Sequence, residues 1–151
     1  MSIGRICSRS VDLIDQNESV CEAARHMRER EVGMLVAIDE TSRPVGILTA
    51  RDLVGRALAH GREGAALSVR AVMTPSPKTI AEEAPIESAA SAMMFGSVRR
   101  LPVVDRAGRV VGMITLDDVT ALLAEEFTII GKLLESQMSH RHHGLEAPLD
   151  H

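Results

Sequence analysis

Two stretches of this chain set a hydroxyl and a carboxylate at one spacing behind a glycine: Gly46-Ile47-Leu48-Thr49-Ala50-Arg51-Asp52 and Gly112-Met113-Ile114-Thr115-Leu116-Asp117-Asp118. Each lies where an apolar, strand-like run gives way to a helical pattern. A helix N-terminus with a hydroxyl offers N–H and O–H donors to a phosphate, and a carboxylate accepts two hydrogen bonds from the vicinal hydroxyls of a ribose. Thr49, Asp52, Thr115 and Asp118 are therefore candidate nucleotide ligands. The spacing has a second explanation, because Thr followed by Asp three residues later also resembles a helix N-cap with its reciprocal box. Two facts weigh against capping alone. A strand-end glycine lets the backbone approach another group closely, and both copies sit at the C-terminal end of a strand, where α/β proteins hold ligands. With two Phe and no Trp or Tyr, a base would sit between aliphatic strands such as Val36-Ala37-Ile38 and Val103-Val104.

These residues are carried by a repeat. The offset from Gly46 to Gly112, 66 residues, also takes Ile14 to Ile80, Ala23 and Ala24 to Ala89 and Ala90, Met27 to Met93, Leu35 to Leu101, Asp39 to Asp105 and Val45 to Val111. Self-similarity of that length marks a repeated structural unit, here read as β-α-β-β-α. In the first copy Val11 to Ile14 is extended, and Val20, Ala23, Ala24 and Met27 recur at helical spacing. Met34 to Ile38 and Val45 to Leu48 are strands about a turn at Asp39 to Arg43, and Arg51 to His60 is a helix stopped by Gly61. The second copy repeats the order: Lys78 to Ile80 extended, a helical stripe of Ile86, Ala89, Ala90 and Met93, and a hairpin of Leu101 to Val104 with Val110 to Ile114. Gly108 takes positive φ in its turn. A long helix from Asp118 to about Gln137 follows. The Met-rich Ala92-Met93-Met94-Phe95 reads as adaptable helix core.

Composition narrows the function. At 151 residues the two copies are halves of one core rather than separate domains. The net charge of −4 gives no basic field for a phosphate backbone, and no aromatic platform exists for single strands, so nucleic acid is not an expected partner. No apolar run is long enough to span a membrane, and no signal peptide is evident. Cys7 and Cys21 have no redox or metal-ligand spacing, which suits a reducing, cytoplasmic setting. His140, His142 and His143 lie in a polar tail without ordered partners, so no metal site is expected. Catalytic residues are not expected either. Thr49 and Thr115 lack an activating base, His26 and His60 lack a companion Ser or Cys, and no carboxylate cluster suits a nucleotide hydrolase.

Taken together, the doubled Gly-x-x-Thr-x-x-Asp, Val98-Arg99-Arg100-Leu101-Pro102-Val103-Val104-Asp105 and Val72-Met73-Thr74-Pro75 resemble a tandem pair of cystathionine β-synthase (CBS) domains, a Bateman module of the bacterial stand-alone type. The resemblance covers roughly Ile6 to Leu134. It implies an α/β (α+β) fold of two pseudo-symmetric β-α-β-β-α repeats: 6–61 as the first, 62–71 as a linker, 72–127 as the second, 128–138 as a helical extension and 139–151 as a disordered tail. It further implies a regulatory module binding an adenosine compound (AMP, ADP, ATP, NAD or S-adenosylmethionine) in the inter-repeat cleft. The alternative is an unliganded structural or interaction dimer. Carried over by position, Asp52 and Asp118 match ribose-binding aspartates and Thr49 and Thr115 phosphate-side hydroxyls. Ile14, Ile80, Ala37 and Val103 match the neighbourhood of the base pocket, and Arg99 and Arg100 a phosphate-reaching basic pair. Arg51, one turn into its helix, adds positive charge where Asp117 would repel a phosphate. Such pairs commonly form disc-like dimers, so a homodimer is expected, with a regulated protein as a further partner and the long helix as a packing face.

Overall fold

The computed structural model describes residues 1–143. Met1–Leu116 forms one compact unit, and a second begins at Asp117. In the first unit the chain runs through β1 (Leu13–Asp15), α1 (Val20–Arg30), β2 (Met34–Ile38), β3 (Pro44–Thr49), α2 (Ala50–Asp52), α3 (Val69–Val72), β4 (Thr74–Pro75), β5 (Ile80–Ala81), α4 (Ile86–Gly96), β6 (Arg100–Val104) and β7 (Val110–Thr115). Helix α5, Leu116–His143, follows. The fold is thus mixed α/β, with sheets ordered β1-β2-β3-β4 and β5-β6-β7.

The repeat seen in the sequence is reproduced in strand pairing and turn geometry. In each half a parallel pair opens the sheet, with Ile14 opposite Ala37 and Ile80 opposite Val103. An antiparallel hairpin closes it, with a bulge at Ala37/Ile38 and again at Val103/Val104. The two hairpin turns are alike. Asp39 Oδ1 accepts from the N–H of Thr41 and Arg43 at 2.8 and 3.0 Å, and Asp105 Oδ1 from those of Ala107 and Arg109 at 2.9 and 3.0 Å. Gly108 has φ +79° as its turn requires, and Ser42 at the equivalent place has φ +64°. Helix α1 starts at an N-cap, Ser19, whose hydroxyl accepts from Glu22 N at 3.1 Å. It buries Val20, Ala23 and Met27 against Leu35, Ala37 and Leu48. Leu35, Leu48, Leu101 and Ile114 are fully buried, each contributing about 1.5–3 kcal/mol.

What joins the halves is an exchange of segments. Residues 2–8 precede β1 of the first half yet pair with the second. Ile3 N donates to Ala84 O at 2.9 Å and Gly4 N to Glu82 O at 2.8 Å, and Ser8 and Met113 exchange both backbone bonds at 2.9 Å. Residues 68–74 precede β5 of the second half and do the same to the first. Val69 N donates to Glu18 O at 2.8 Å and Arg70 N to Gln16 O at 2.9 Å, and Thr74 pairs with Ile47 across β3 and β4. Val69 to Val72 is helical, so residues 69–71, expected within the 62–71 linker, are part of a helix whose amides complete the bonding of the first repeat. For the same reason the folded region begins at Ile3, fully buried, ahead of the expected Ile6.

Several boundaries differ for local reasons. After Ala50–Asp52 the expected helix widens to a π-turn at Leu53–Ala57 and tightens to a 3-10 turn at Leu58–His60, ending at Gly61 with φ +67°. Met93 is buried, but Met94 and Phe95 are 70% and 82% exposed, because they fall on the opposite face of α4 from Ala89 and Met93. Helix α5 runs through His143, so residues 139–143 of the expected tail are helical. The side chains of His142 and His143 and residues 144–151 lie outside the described residues. No described helix is long and apolar enough to cross a membrane.

The motif glycine has a packing role. A Cβ on Gly112 would stand 2.7 Å from Cys7 Sγ and 2.8 Å from Ser8 O, and one on Gly46 would stand 2.2 Å from Met73 Sδ. The close neighbour in each copy is the exchanged segment, not a ligand. Gly112→Ala is expected to cost about 1–3 kcal/mol in urea unfolding by overpacking. Gly46→Ala should cost less, since the Met73 side chain can move whereas the Ser8 carbonyl cannot, and Met73→Ala should recover part of that loss.

Candidate functional site

At the first Thr-x-x-Asp the reciprocal box is fully formed. Thr49 N donates to Asp52 Oδ2 at 2.8 Å, and Asp52 N to Thr49 Oγ1 at 3.2 Å. The Asp52 carboxylate is largely buried, and its Oδ1 lies 3.9 Å from Arg56 Nε. Arg56 in turn donates to Val72 O at 2.9 Å and to Thr74 Oγ1 at 3.3 Å, tying the motif to the exchanged segment. Helix capping is thus real at this copy, and it fixes the carboxylate in one rotamer. In the second copy Thr115 closes β7 and Asp118 lies in the first turn of α5. Leu116 N donates to Arg99 O at 2.8 Å, as Ala50 N does to Gly33 O at 2.9 Å.

A cavity of about 290 Å³ opens between the repeats, lined by Ser10, Val11 and Asp12 before β1, Glu31 to Met34 entering β2, and Arg100 and Met113 from the second repeat. The ladder register places it beside the motifs, since Met34 is the partner of Thr49 and Arg100 the partner of Thr115. Met34 and Arg100 are themselves equivalent under the 66-residue offset, so the cavity straddles the pseudo-symmetry of the module.

The other expected residues are spread more widely. Ile14, Ala37, Ile80 and Val103 are buried and stand as two register pairs. Ile14 and Ala37 belong to the core of the first repeat, so their side chains define the sheet behind the cavity rather than its wall. Ile14 also borders a separate, charged depression beside Glu18, Glu22, Arg25, His26, Glu29 and Arg30. Arg51 is exposed on α2, and Arg99 is exposed immediately before β6. Of the three arginines singled out, Arg100 lines the cavity. Among the described residues no group of three or more His, Cys, Asp or Glu is arranged to hold a metal.

The sequence reading missed Asp12 and Glu31. Asp12 Oδ1 lies 3.0 Å from Arg30 Nε and 3.3 Å from His26 Nε2, with its carboxylate 16% exposed. Burial alone would raise its pKa, but the hydrogen bonds and charges of Arg30 and His26 outweigh burial and hold it below the ordinary value. Glu31 ends α1 in the left-handed conformation, φ +54°. Neither residue belongs to a repeated motif, which is why spacing did not disclose them.

Comparison with known proteins fits this geometry. A family model described as the CBS domain matches residues 3–59 and 69–125. An uncharacterized protein of Methanopyrus kandleri is 32% identical over 119 residues, which is 79% of this chain and 61% of that protein. A CBS domain pair solved with 5′-methylthioadenosine and S-adenosylmethionine superposes with a TM-score of 0.67 at 29% identity, covering 82% of this chain and 99% of the other. CBSX2 solved with AMP gives 0.69 at 26% identity, over 82% and 96%.

The Asp12 cluster carries a pH signature. Because its folded pKa is depressed, its contribution to stability is complete above the ordinary value of 3.8 and is lost as pH falls through the folded value. In urea unfolding, Asp12→Asn should be less stable than the parent near neutrality, and the two curves should converge in acid. Curves separated by a constant amount down to the lowest pH would show that the charge plays no part.

Proposed function

The chain belongs to the CBS domain family, with both of its repeats matched, and from that premise we propose that it is a regulatory module that senses an adenosine-containing ligand, of the AMP, ADP, ATP, NAD or S-adenosylmethionine type, in the cleft between the repeats. The observation that carries the reading is the cavity spanning the repeats at Met34 and Arg100, each the ladder partner of a motif threonine. Its volume of about 290 Å³ lies near the lower end of small-ligand pockets, roughly 300–1,000 Å³. Relatives solved with AMP, 5′-methylthioadenosine and S-adenosylmethionine support the ligand class.

In this reading Asp52 and Asp118 bind the ribose hydroxyls, and Thr49 and Thr115 orient the nucleotide at the helix starts. Arg100, Arg99 and Arg51 supply positive charge, and the strands carrying Ile14, Ile80, Ala37 and Val103 back the site. Asp52 Oδ2 is already committed to Thr49 N, so its remaining acceptor capacity serves the sugar. The module is not itself catalytic. It acts in the cytoplasm by favouring whichever arrangement of the repeats the ligand contacts best, and a regulated protein reads that arrangement.

Copies of the chain pair as a homodimer. Support comes from α5, where Leu123, Phe127, Ile130, Leu134 and Met138 follow one another at helical spacing and all are exposed, the pattern of a helix seam awaiting a partner.

Without Trp or Tyr, the protein absorbs little at 280 nm, so retained adenine nucleotide should dominate the spectrum near 260 nm. Added AMP, ATP, NAD or S-adenosylmethionine should raise the melting temperature, and at a hundredfold excess over Kd the gain is about 2.7 kcal/mol. Asp52→Ala and Asp118→Ala should weaken that response; nucleotide-free protein that none of these ligands stabilises would leave the structural-dimer alternative standing. Light scattering should give twice the chain mass of 16.3 kDa, and Phe127→Glu with Ile130→Glu should return the single-chain mass.

A further inference from the structure

The backbone bonds of the two exchanged segments correspond under the 66-residue offset. Val69 N to Glu18 O, Arg70 N to Gln16 O and Met73 N to Val69 O measure 2.8, 2.9 and 2.9 Å. Their counterparts are Ile3 N to Ala84 O, Gly4 N to Glu82 O and Cys7 N to Ile3 O, at 2.9, 2.8 and 2.9 Å. Thr74 opposite Ile47 likewise corresponds to Ser8 opposite Met113. The match breaks at the side chain of Arg56. Its Nη1 donates to Val72 O at 2.9 Å and to Thr74 Oγ1 at 3.3 Å, and its Nε faces Asp52 Oδ1 at 3.9 Å. Val72 ends α3, where a carbonyl has no partner within its own helix, and the guanidinium supplies one. Leu122 holds the equivalent place in the second copy. A leucine carries no donor for the Ile6 carbonyl or the Ser8 hydroxyl, the counterparts of Val72 O and Thr74 Oγ1.

Asp52 is pinned from its other side, since Oδ2 accepts from Thr49 N at 2.8 Å. Its Oδ1 stands beyond hydrogen-bond length from Arg56, and a carboxylate oxygen has room for two donors, so a sugar hydroxyl and the guanidinium can share it. Resting on the sensing reading above, we propose that Arg56 is a positioning residue that couples ligand at the first motif to the seating of residues 69–74, which makes the segment joining the repeats the output of the sensor. The seated segment holds the Arg56 fork through Val72 O and Thr74 Oγ1, and the fork orients the Asp52 carboxylate. Coupling of this kind is reciprocal: the affinity that seating lends to the ligand returns as firmer seating when the ligand binds. Asp118 has Leu122 in place of an arginine four residues on, so the coupling is one-sided and residues 3–8 do not report.

Residue-resolved hydrogen exchange of the full-length chain tests the coupling, with AMP, ATP, NAD and S-adenosylmethionine added in turn to saturation. With a ligand that binds, the amides of Val69, Arg70 and Met73 should slow about fivefold more than those of Ile3, Gly4 and Cys7. Stabilisation of the whole module slows both sets alike, so the matched amides separate coupling from it. Arg56→Leu should weaken the ligand about fivefold and abolish the difference between the two sets. Thr74→Val leaves Asp52 and Arg56 in place, and should lower both affinity and difference by about twofold. If Arg56→Leu fails to fold, Thr74→Val decides, and no change in either quantity there overturns the coupling. Equal slowing of the two sets, or a difference that survives Arg56→Leu, overturns it while leaving sensing intact. Failure of all four ligands to bind overturns sensing and coupling together.

Discussion

Everything in the first unit depends on backbone pairing between segments that are far apart in sequence. Ser8 with Met113, and Thr74 with Ile47, complete the sheet of the repeat to which they do not belong. A buried amide left without its partner costs about 1–3 kcal/mol, so neither sheet is satisfied alone. The exchange also dictates side chains. Cys7 and Met73 lie over Gly112 and Gly46, and the conserved offset between these pairs shows one solution used twice. The cavity exists because the two sheets are held at a fixed relation by these crossings, leaving Met34 and Arg100 at its wall.

Capping and ligand binding by the Thr-x-x-Asp motif are compatible readings of one geometry. The Thr49–Asp52 box satisfies an exposed helix start and at the same time freezes the carboxylate. A side chain already fixed loses little entropy when a ligand arrives. The neighbouring Arg56, bonded to Val72 O, makes the first motif sensitive to where the exchanged segment lies. Leu122 stands at the equivalent place in the second copy, so this tie has no counterpart there.

Much of the fold was legible because the chain states it twice. Strand, helix and hairpin positions followed from period and turn chemistry, and even the bulges obey the offset, as do the left-handed pairs Glu31 with Ser97 and Ser42 with Gly108. What escaped was non-local. The exchange of residues 2–8 and 68–74 has no periodic signature, so residues 69–71 read as linker and the motif glycine read as room for a ligand rather than for Met73 or Cys7. The candidate site divided the same way. Thr49, Asp52 and Arg100 were singled out through motif and position, and Arg100 lines the cavity, whereas the placing of Asp12 depends on the Arg30 and His26 side chains of a neighbouring helix. Ile14 and Ala37 were found by position, but their burial in the core is set by the pleat of β1 and β2.

The exchange bears on how the protein is made. Ile3 finds its partner at Ala84 and Ser8 at Met113, so these residues leave the ribosome well before the segments that pair with them. At about 5–20 residues per second, they wait several seconds, with Ile3 and Cys7 uncovered, until β7 has been synthesised. The first repeat also lacks its fourth strand until Thr74 emerges. The module is therefore assembled as a whole once β7 has emerged rather than half by half, and a slow or interrupted ribosome between the repeats leaves an adhesive, incomplete sheet rather than a finished domain.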